Sequence, residues 1–456
     1  MNFQCELQKI RAFYEAGRTL EYDFRIKQLE ALDHSINKHE EKIFQALKSD
    51  LGKSKEEAWV TETGMVRSEI NNIIRHLKKW MRPEKVGTPL VAFPSSSRIY
   101  KEPLGVVLVI APWNYPFQLL LTPLAGAIAG GNCVVLKPSE RALATENILC
   151  EIIKETFDEN YIRIIAGDGA SVIPAMTDAF RFDHIFYTGS TIVGKKIYQL
   201  AANSLTPVTL ELGGKSPCII YPDADLDVAA KRIVLGKFLN AGQTCIAPDY
   251  LLAEKSISEN LLEKMKQYIH TFYSNDASES QDYGRIINHL HFKRLRSYLD
   301  NASIYFGGEM IEDDLYIAPT ILTDVKESDS VMQEEIFGPI LPVLTFNSTK
   351  EATRIVEQHR NPLSLYLFTD NRSIQDEWIK KVSFGGGCIN NTVLHFTNKK
   401  LPFGGVGNSG IGSYHGKASF DLFTHKKPVL KTGTWFDPSI KYPPFKGKMK
   451  WFKRLM

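Results

Sequence analysis

Residues 103–136 run without a single charged side chain, and few folds can hold such a stretch. On hydropathy alone a run of this length reads as a membrane span. Pro112, Pro116 and Pro123 interrupt it, however, and Gly130-Gly131-Asn132 marks a turn. What remains is two short β-branched runs, LGVVLVIAP and NCVVLKP, on either side of a helical LLLTPLAGAIAG. A buried strand–helix–strand unit accounts for the missing charge, and no transmembrane helix is expected.

The alternation continues beyond this unit. YIRIIAG, HIFYTG, VTLELGG and PCIIYP read as strands separated by helical stretches, which predicts a parallel, doubly wound sheet. A second alternating region follows Thr244, with LLAEK, IAPTILTDV, LPVLTF, LSLYLFT and GGCINN as its strands. The chain therefore reads as two α/β halves joined near residues 211–215, and 456 residues suffice for two or three domains. The first 80 residues read as helical. Ile26, Leu29, Leu32, Ile36, Ile43 and Leu47 form an apolar stripe, with Gly52 as a stop.

A net charge of +3 is small for this length and predicts no nucleic-acid binding. The charged N-terminus has no apolar core and is not read as a secretory signal. The six cysteines show no CxxC pair and no metal-ligand spacing, so they read as reduced cytosolic thiols, and no metal is expected. The C-terminus changes character: Lys446, Lys448, Lys450, Lys453 and Arg454 interleave with Met449, Trp451, Phe452, Leu455 and Met456. Such a basic amphipathic tail can lie peripherally on an anionic membrane, or be a solvated or interface-packed end.

Three segments carry chemistry. FLNAGQTC places Cys245 after a glycine-containing polar turn, and a cysteine is strongly nucleophilic toward a carbonyl even when only partly ionised. Thirty-four residues earlier, Glu211 ends the strand PVTL beside Gly213 and Gly214, where a carboxylate can act as general base. Asn114, in PWNYP, also follows a strand, and its amide can donate to a developing oxyanion together with the backbone N–H of Cys245. A dinucleotide site is signalled more weakly, since no GxGxxG follows a strand. HIFYTGSTIVGKKI nonetheless opens a helix after Gly189-Ser190, with Gly194 further along, and can aim backbone N–H groups at a pyrophosphate. Lys137 and Glu140, after the strand CVVLKP, can hold the hydroxyls of an adenosine ribose or form a surface ion pair. Gly167-Asp168-Gly169 reads as a turn alone.

APWNYPF, VLKPSE, FYTGSTIVG, LELGGK, FLNAGQTC and EEIFGPILPV resemble, in order and spacing, the aldehyde dehydrogenase superfamily. The resemblance runs from about residue 20 to about residue 445. A short N-terminal stretch and the ending LPFGGVGNSGIGSYHGKASFDLFTHKK…KYPPF are similar to its class 3 branch, which implies a homodimer and medium-chain, long-chain or aromatic aldehyde substrates. The resemblance implies an α/β fold with a Rossmann-like parallel-sheet NAD(P)-binding domain (1–80 and 102–212), a second α/β catalytic domain (213–412), and a small β oligomerisation arm with tail (81–101 and 413–456). It implies Asn114 as oxyanion donor, Glu211 as general base and Cys245 as nucleophile. Lys137 and Glu140 would bind the adenine ribose, and Gly189, Ser190 and Gly194 would sit at the pyrophosphate. Glu335 would hold the nicotinamide ribose and Phe337 would pack near the nicotinamide; read on its own, the Glu334-Glu335 pair is an ordinary exposed acidic pair. A carboxylate at Glu140 favours a free 2′-hydroxyl, hence NAD, while Lys137 leaves NADP acceptable.

The expected reaction is oxidation of an aldehyde to a carboxylic acid through a thiohemiacetal and a thioester on Cys245, in a cytoplasmic protein. A CoA-acylating enzyme and a non-catalytic scaffold are the alternatives. Glu211 argues against the first, and the intact Asn114, Glu211 and Cys245 set argues against the second. His395 reads equally as a border of the substrate tunnel and as a satisfied loop histidine.

Overall fold

The structure is a computed structural model and describes residues 3–455. Met1 and Asn2 of the charged N-terminus and Met456 of the basic tail lie outside the described residues. The uncharged segment forms strand β1 (Val106–Ile110), a helix (Gln118–Gly130) and strand β2 (Cys133–Lys137). Every residue of that helix is buried, which explains an apolar surface on all its sides. Pro123, expected to interrupt the segment, lies inside the helix. Packing on every side compensates the one backbone bond that proline removes.

Strands β3 (Ile162–Ile164), β4 (His184–Thr188) and β5 (Val208–Glu211) complete the parallel part of the first sheet. After β5 the chain crosses to a second sheet built from β6 (Pro217–Ile220), β7 (Tyr250–Glu254), β8 (Ser303–Phe306), β9 (Thr320–Thr323), β10 (Ile340–Phe346), β11 (Ser364–Phe368) and β12 (Gly386–Ile389). Its order is β8-β9-β10-β7-β6-β11-β12, parallel except for β8. The chain then returns: β13 (Gly410–Ile411) pairs antiparallel with β5, giving the first sheet the order β13-β5-β4-β1-β2-β3.

Each sheet has its own apolar core. The N-terminal helices cover the first one. Leu29, Leu32, Ile36, Ile43 and Leu47 are buried, and Gly52 caps the helix Glu40–Leu51 in a left-handed conformation (φ 71°). Tyr414, Phe420 and Phe423, grouped in the sequence with the tail, also pack into this core, because the chain from β13 onward lies against β5 and the buried helix. An antiparallel arm stands apart, with Ser95–Pro103 paired to Glu84–Val86 on one side and to Thr424–Thr432 on the other. Beyond it Trp435, Tyr442, Phe445, Met449 and Trp451 are exposed. Among the described residues no helix is long and apolar enough to cross a membrane.

Candidate active site

Sheet topology selects where a site can form. From β1 the chain builds outward to β2 and β3, then crosses back to β4 on the other side of β1. The loops after β1 and β4 therefore diverge, leaving a crevice at the carboxyl ends of the strands. The loop after β1 carries Asn114, the turn after β4 carries Gly189 and Ser190, and β5 ends beside it at Glu211. Cys245 arrives from the second half.

The turn that delivers Cys245 is strained. After the helix Leu226–Phe238, Asn240 (φ 54°), Ala241 (φ 51°) and Gly242 (φ 72°) are consecutively left-handed. Such a conformation costs a non-glycine residue roughly 1–2 kcal/mol, and it persists because surrounding groups over-determine it. Glu57 accepts the Asn240 N–H at 2.9 Å, and the Asn240 side chain donates to the carbonyls of Asn114 (2.8 Å) and Gln243 (3.2 Å). Gln243 is fully buried; its amide donates to Asn240 O (3.1 Å) and Arg285 O (2.9 Å) and accepts from Ile287 N (3.0 Å). Gly242 is required by contact, since a Cβ there would stand 2.3 Å from the Gly338 carbonyl oxygen.

Asn114 is buried, and its Nδ2 donates to the Gln243 carbonyl at 3.0 Å, two residues before Cys245. An amide carries two protons, so one remains for an oxyanion. The loop bearing Asn114 rests on a buried ion pair that sequence reading missed. Lys53 Nζ donates to Glu62 at 2.6 Å and to the Asn114 carbonyl at 3.2 Å, with both charged side chains fully buried. The other Glu62 oxygen accepts the N–H groups of Phe117 and Gln118, and the Lys53 ammonium lies 4.0 Å from the Tyr115 ring centroid. Tyr115 in turn is hydrogen-bonded to Thr244 at 2.6 Å. Nothing in a single sequence marks Lys53 or Glu62, because one lies in a short loop and the other on a helical stretch, both among other charges.

Glu211 is the opposite case. It is 2% exposed, and neither carboxylate oxygen has a hydrogen-bond partner. Burial therefore pushes its carboxyl well above the usual range. The Cys245 thiol is likewise pushed up, first by burial and then by the carboxylates of Glu335 and Glu211. The resting thiol is neutral, and Cys245 and Glu211 are near enough for their charges to interact.

The residues expected at the cofactor fall in two groups. Lys137, 1% exposed at the end of β2, donates to the Pro138 carbonyl (2.5 Å) and to Glu140 (3.0 Å); the pair is half-buried, not a surface contact. Glu140 faces Gly169, and the Gly167-Asp168-Gly169 turn is the cap of the helix Gly169–Ala179. Gly189 spends its N–H on the Glu211 carbonyl (3.0 Å), and a Cβ there would meet the Tyr187 hydroxyl at 2.3 Å. Ser190 caps the helix Thr191–Ala202, and Gly194 lets that helix approach Leu212, where a Cβ would come within 2.6 Å. Glu335 lies against Gly213, whose absent Cβ would sit 2.0 Å from its carboxylate, and burial pushes its carboxyl up to about 8. Phe337 is left-handed (φ 51°) and meets Trp113 edge-on, ring centroids 5.3 Å apart. The buried Lys137 ammonium beside Glu140 and the Ser190-capped start of the helix Thr191–Ala202 form a donor set that fits a dinucleotide. Among the described residues no group of three or more metal-ligating side chains gathers.

His395 has partners of its own in the fold. Its Nδ1 is 3.6 Å from Cys388 Sγ, its ring stacks on Phe403, and burial lowers its pKa to about 4, so the imidazole is neutral.

The family model described as the aldehyde dehydrogenase family matches residues 8–429. The chain is 47% identical over 445 residues to a 4,4'-diaponeurosporen-aldehyde dehydrogenase of Staphylococcus aureus, covering 97% of this chain and 96% of the other. It is 45% identical over 447 residues to a dimeric, NADP-preferring aldehyde dehydrogenase of Rattus norvegicus, covering 97% and 98% of the two chains. A solved structure of Staphylococcus aureus AldH in a substrate-bound state superposes with a TM-score of 0.97 at 46% identity, covering 98% of each chain.

Proposed function

The chain belongs to the aldehyde dehydrogenase family, and from that premise we propose that it oxidises medium- to long-chain or aromatic aldehydes to carboxylic acids through a thioester on Cys245. The observation that carries this reading is the pairing of an over-determined nucleophile turn with a buried carboxylate that has no partner. A relative whose name specifies a diaponeurosporen aldehyde supports long apolar substrates. NAD(P) is the cofactor, with NAD favoured by Glu140 and NADP by the name of the rat relative.

Cys245 sulfur attacks the aldehyde carbon while its proton passes to water in the crevice, giving the oxyanion of a thiohemiacetal. The free Asn114 amide proton and a backbone N–H receive the oxyanion, a contribution worth roughly 3–4 kcal/mol per donor in comparable sites. Lys137 and Glu140 would hold the adenine ribose, and Glu335 the nicotinamide ribose. NAD(P)+, when bound there, would supply the hydride acceptor for oxidation of the thiohemiacetal to the thioester.

Solvation then governs the second half. Burial alone raises the Glu211 carboxyl, so the water that enters to hydrolyse the thioester also supplies the solvation its ionised form lacks. Glu211 gives its proton to that water, and the carboxylate then takes a proton from the attacking water and directs the hydroxide at the thioester. The acid departs and the Cys245 thiol is restored.

The test is nicotinamide reduction with NAD+ and hexanal or benzaldehyde, with and without CoA. Production independent of CoA, with free acid as product, is expected. Strict dependence on CoA would replace this reading with the acylating one.

A further inference from the structure

The buried ion pair Lys215–Asp249 has no place in the chemistry above, and its hydrogen bonds point to one. Lys215 (5% exposed) donates to the Asp249 carboxylate, to the Val331 carbonyl at 3.0 Å and to the Glu334 carbonyl at 2.9 Å, so all three ammonium protons are engaged. Asp249 (4% exposed) accepts the Ile336 N–H at 2.9 Å. The pair thus grips the backbone immediately before and immediately after Glu335. The turn that carries Lys215 also seats the Glu335 side chain: Gly213 makes room for its carboxylate and the Gly214 N–H donates to it. From outside, Arg294 donates to the carbonyls of Glu335 (3.3 Å) and Ile336 (2.6 Å).

The nucleophile turn is anchored elsewhere, on Glu57, Asn114, Arg285 and Ile287. We propose that Lys215 and Asp249 are positioning residues that clamp the Glu335 loop for cofactor binding, independently of the machinery that captures the carbonyl. The proposal rests on the reading of Glu335 as the nicotinamide-ribose contact. A displaced Glu335 weakens the hold on the nicotinamide half and misaligns it, while Cys245 and Asn114 keep their geometry.

The experiment compares Asp249→Asn, Lys215→Met and Glu335→Gln with the unmodified enzyme in three readouts. These are NADH affinity by nicotinamide fluorescence, the primary isotope effect with a C1-deuterated aldehyde, and cofactor-free hydrolysis of p-nitrophenyl acetate. The expected result for the two clasp variants is NADH affinity weaker by about tenfold or more, a larger isotope effect, and ester hydrolysis within about twofold of the unmodified enzyme. Affinity and isotope effect unchanged in the clasp variants but altered in Glu335→Gln would overturn the clasp and leave the cofactor reading standing. No change in Glu335→Gln would overturn the cofactor reading itself. Parallel loss of ester hydrolysis would reduce the pair to general support and overturn the proposal. Arg294→Met, at a partly exposed side chain, probes the same grip if the buried variants do not fold, with the same split expected.

Discussion

Two buried carboxylates of the candidate site are built on opposite principles. Glu62 uses both oxygens, on Lys53 and on two backbone N–H groups, and its work is to hold the Asn114 loop still. Glu211 uses neither oxygen and sits at the end of a strand with nothing to hold. A satisfied buried carboxylate is a structural rivet, whereas an unsatisfied one is costly to keep and is explained by a reaction that supplies its partner. The strained turn at Asn240 and Ala241 belongs with Glu62, because it survives only through its many bonds.

The sharpest way to break this division is to remove the group both sides serve. Cys245→Ser is expected to lower kcat by about 10⁴-fold or more, read as nicotinamide reduction, with the fold intact. Glu211→Gln should slow turnover by about 10²–10⁴-fold through hydrolysis of the thioester alone. A pre-steady-state burst of reduced nicotinamide, one per active site, checks this. Asn114→Ala should cost about 10²–10³-fold in kcat and abolish the burst, because capture itself fails.

Stability should separate the two carboxylates in the other direction. Breaking the Lys53–Glu62 pair with Lys53→Met leaves a buried charge uncompensated, an expected loss of about 3–5 kcal/mol in denaturant unfolding. Glu211→Gln should instead stabilise at pH 8. A carboxyl raised in the folded state binds its proton more tightly there than in the unfolded chain, so stability falls as pH climbs through that window. The advantage of Gln should therefore shrink toward pH 5, where the native carboxyl is protonated in any case. Equal melting temperatures for both proteins at both pH values would show that Glu211 has a partner.

The sequence marked the proposed reactive groups more readily than their supports. Cys245, Glu211 and Asn114 each stand at the end of a strand or turn flanked by glycine or proline, and the alternation of runs placed them on a doubly wound sheet. Lys53, Glu62, Lys215 and Asp249 were not legible, because each looks like any charge on a helix or loop until the fold sets its partner against it. Gly189 and Gly194 carry a second reason for being glycine. Their absent side chains serve Tyr187 and Leu212 as much as any phosphate. The return of β13 beside Glu211 was invisible too, since two residues of strand make no pattern.

In the proposed reaction Cys245 carries the acyl group and Glu211 releases it. Mass spectrometry of Glu211→Gln, quenched after mixing with NAD+ and benzaldehyde, tests it directly. A benzoyl group in place of the thiol hydrogen is expected on the peptide containing Cys245, formed only when NAD+ is present. An unmodified Cys245 in protein that has reduced the cofactor, or the acyl group on another cysteine, would contradict it.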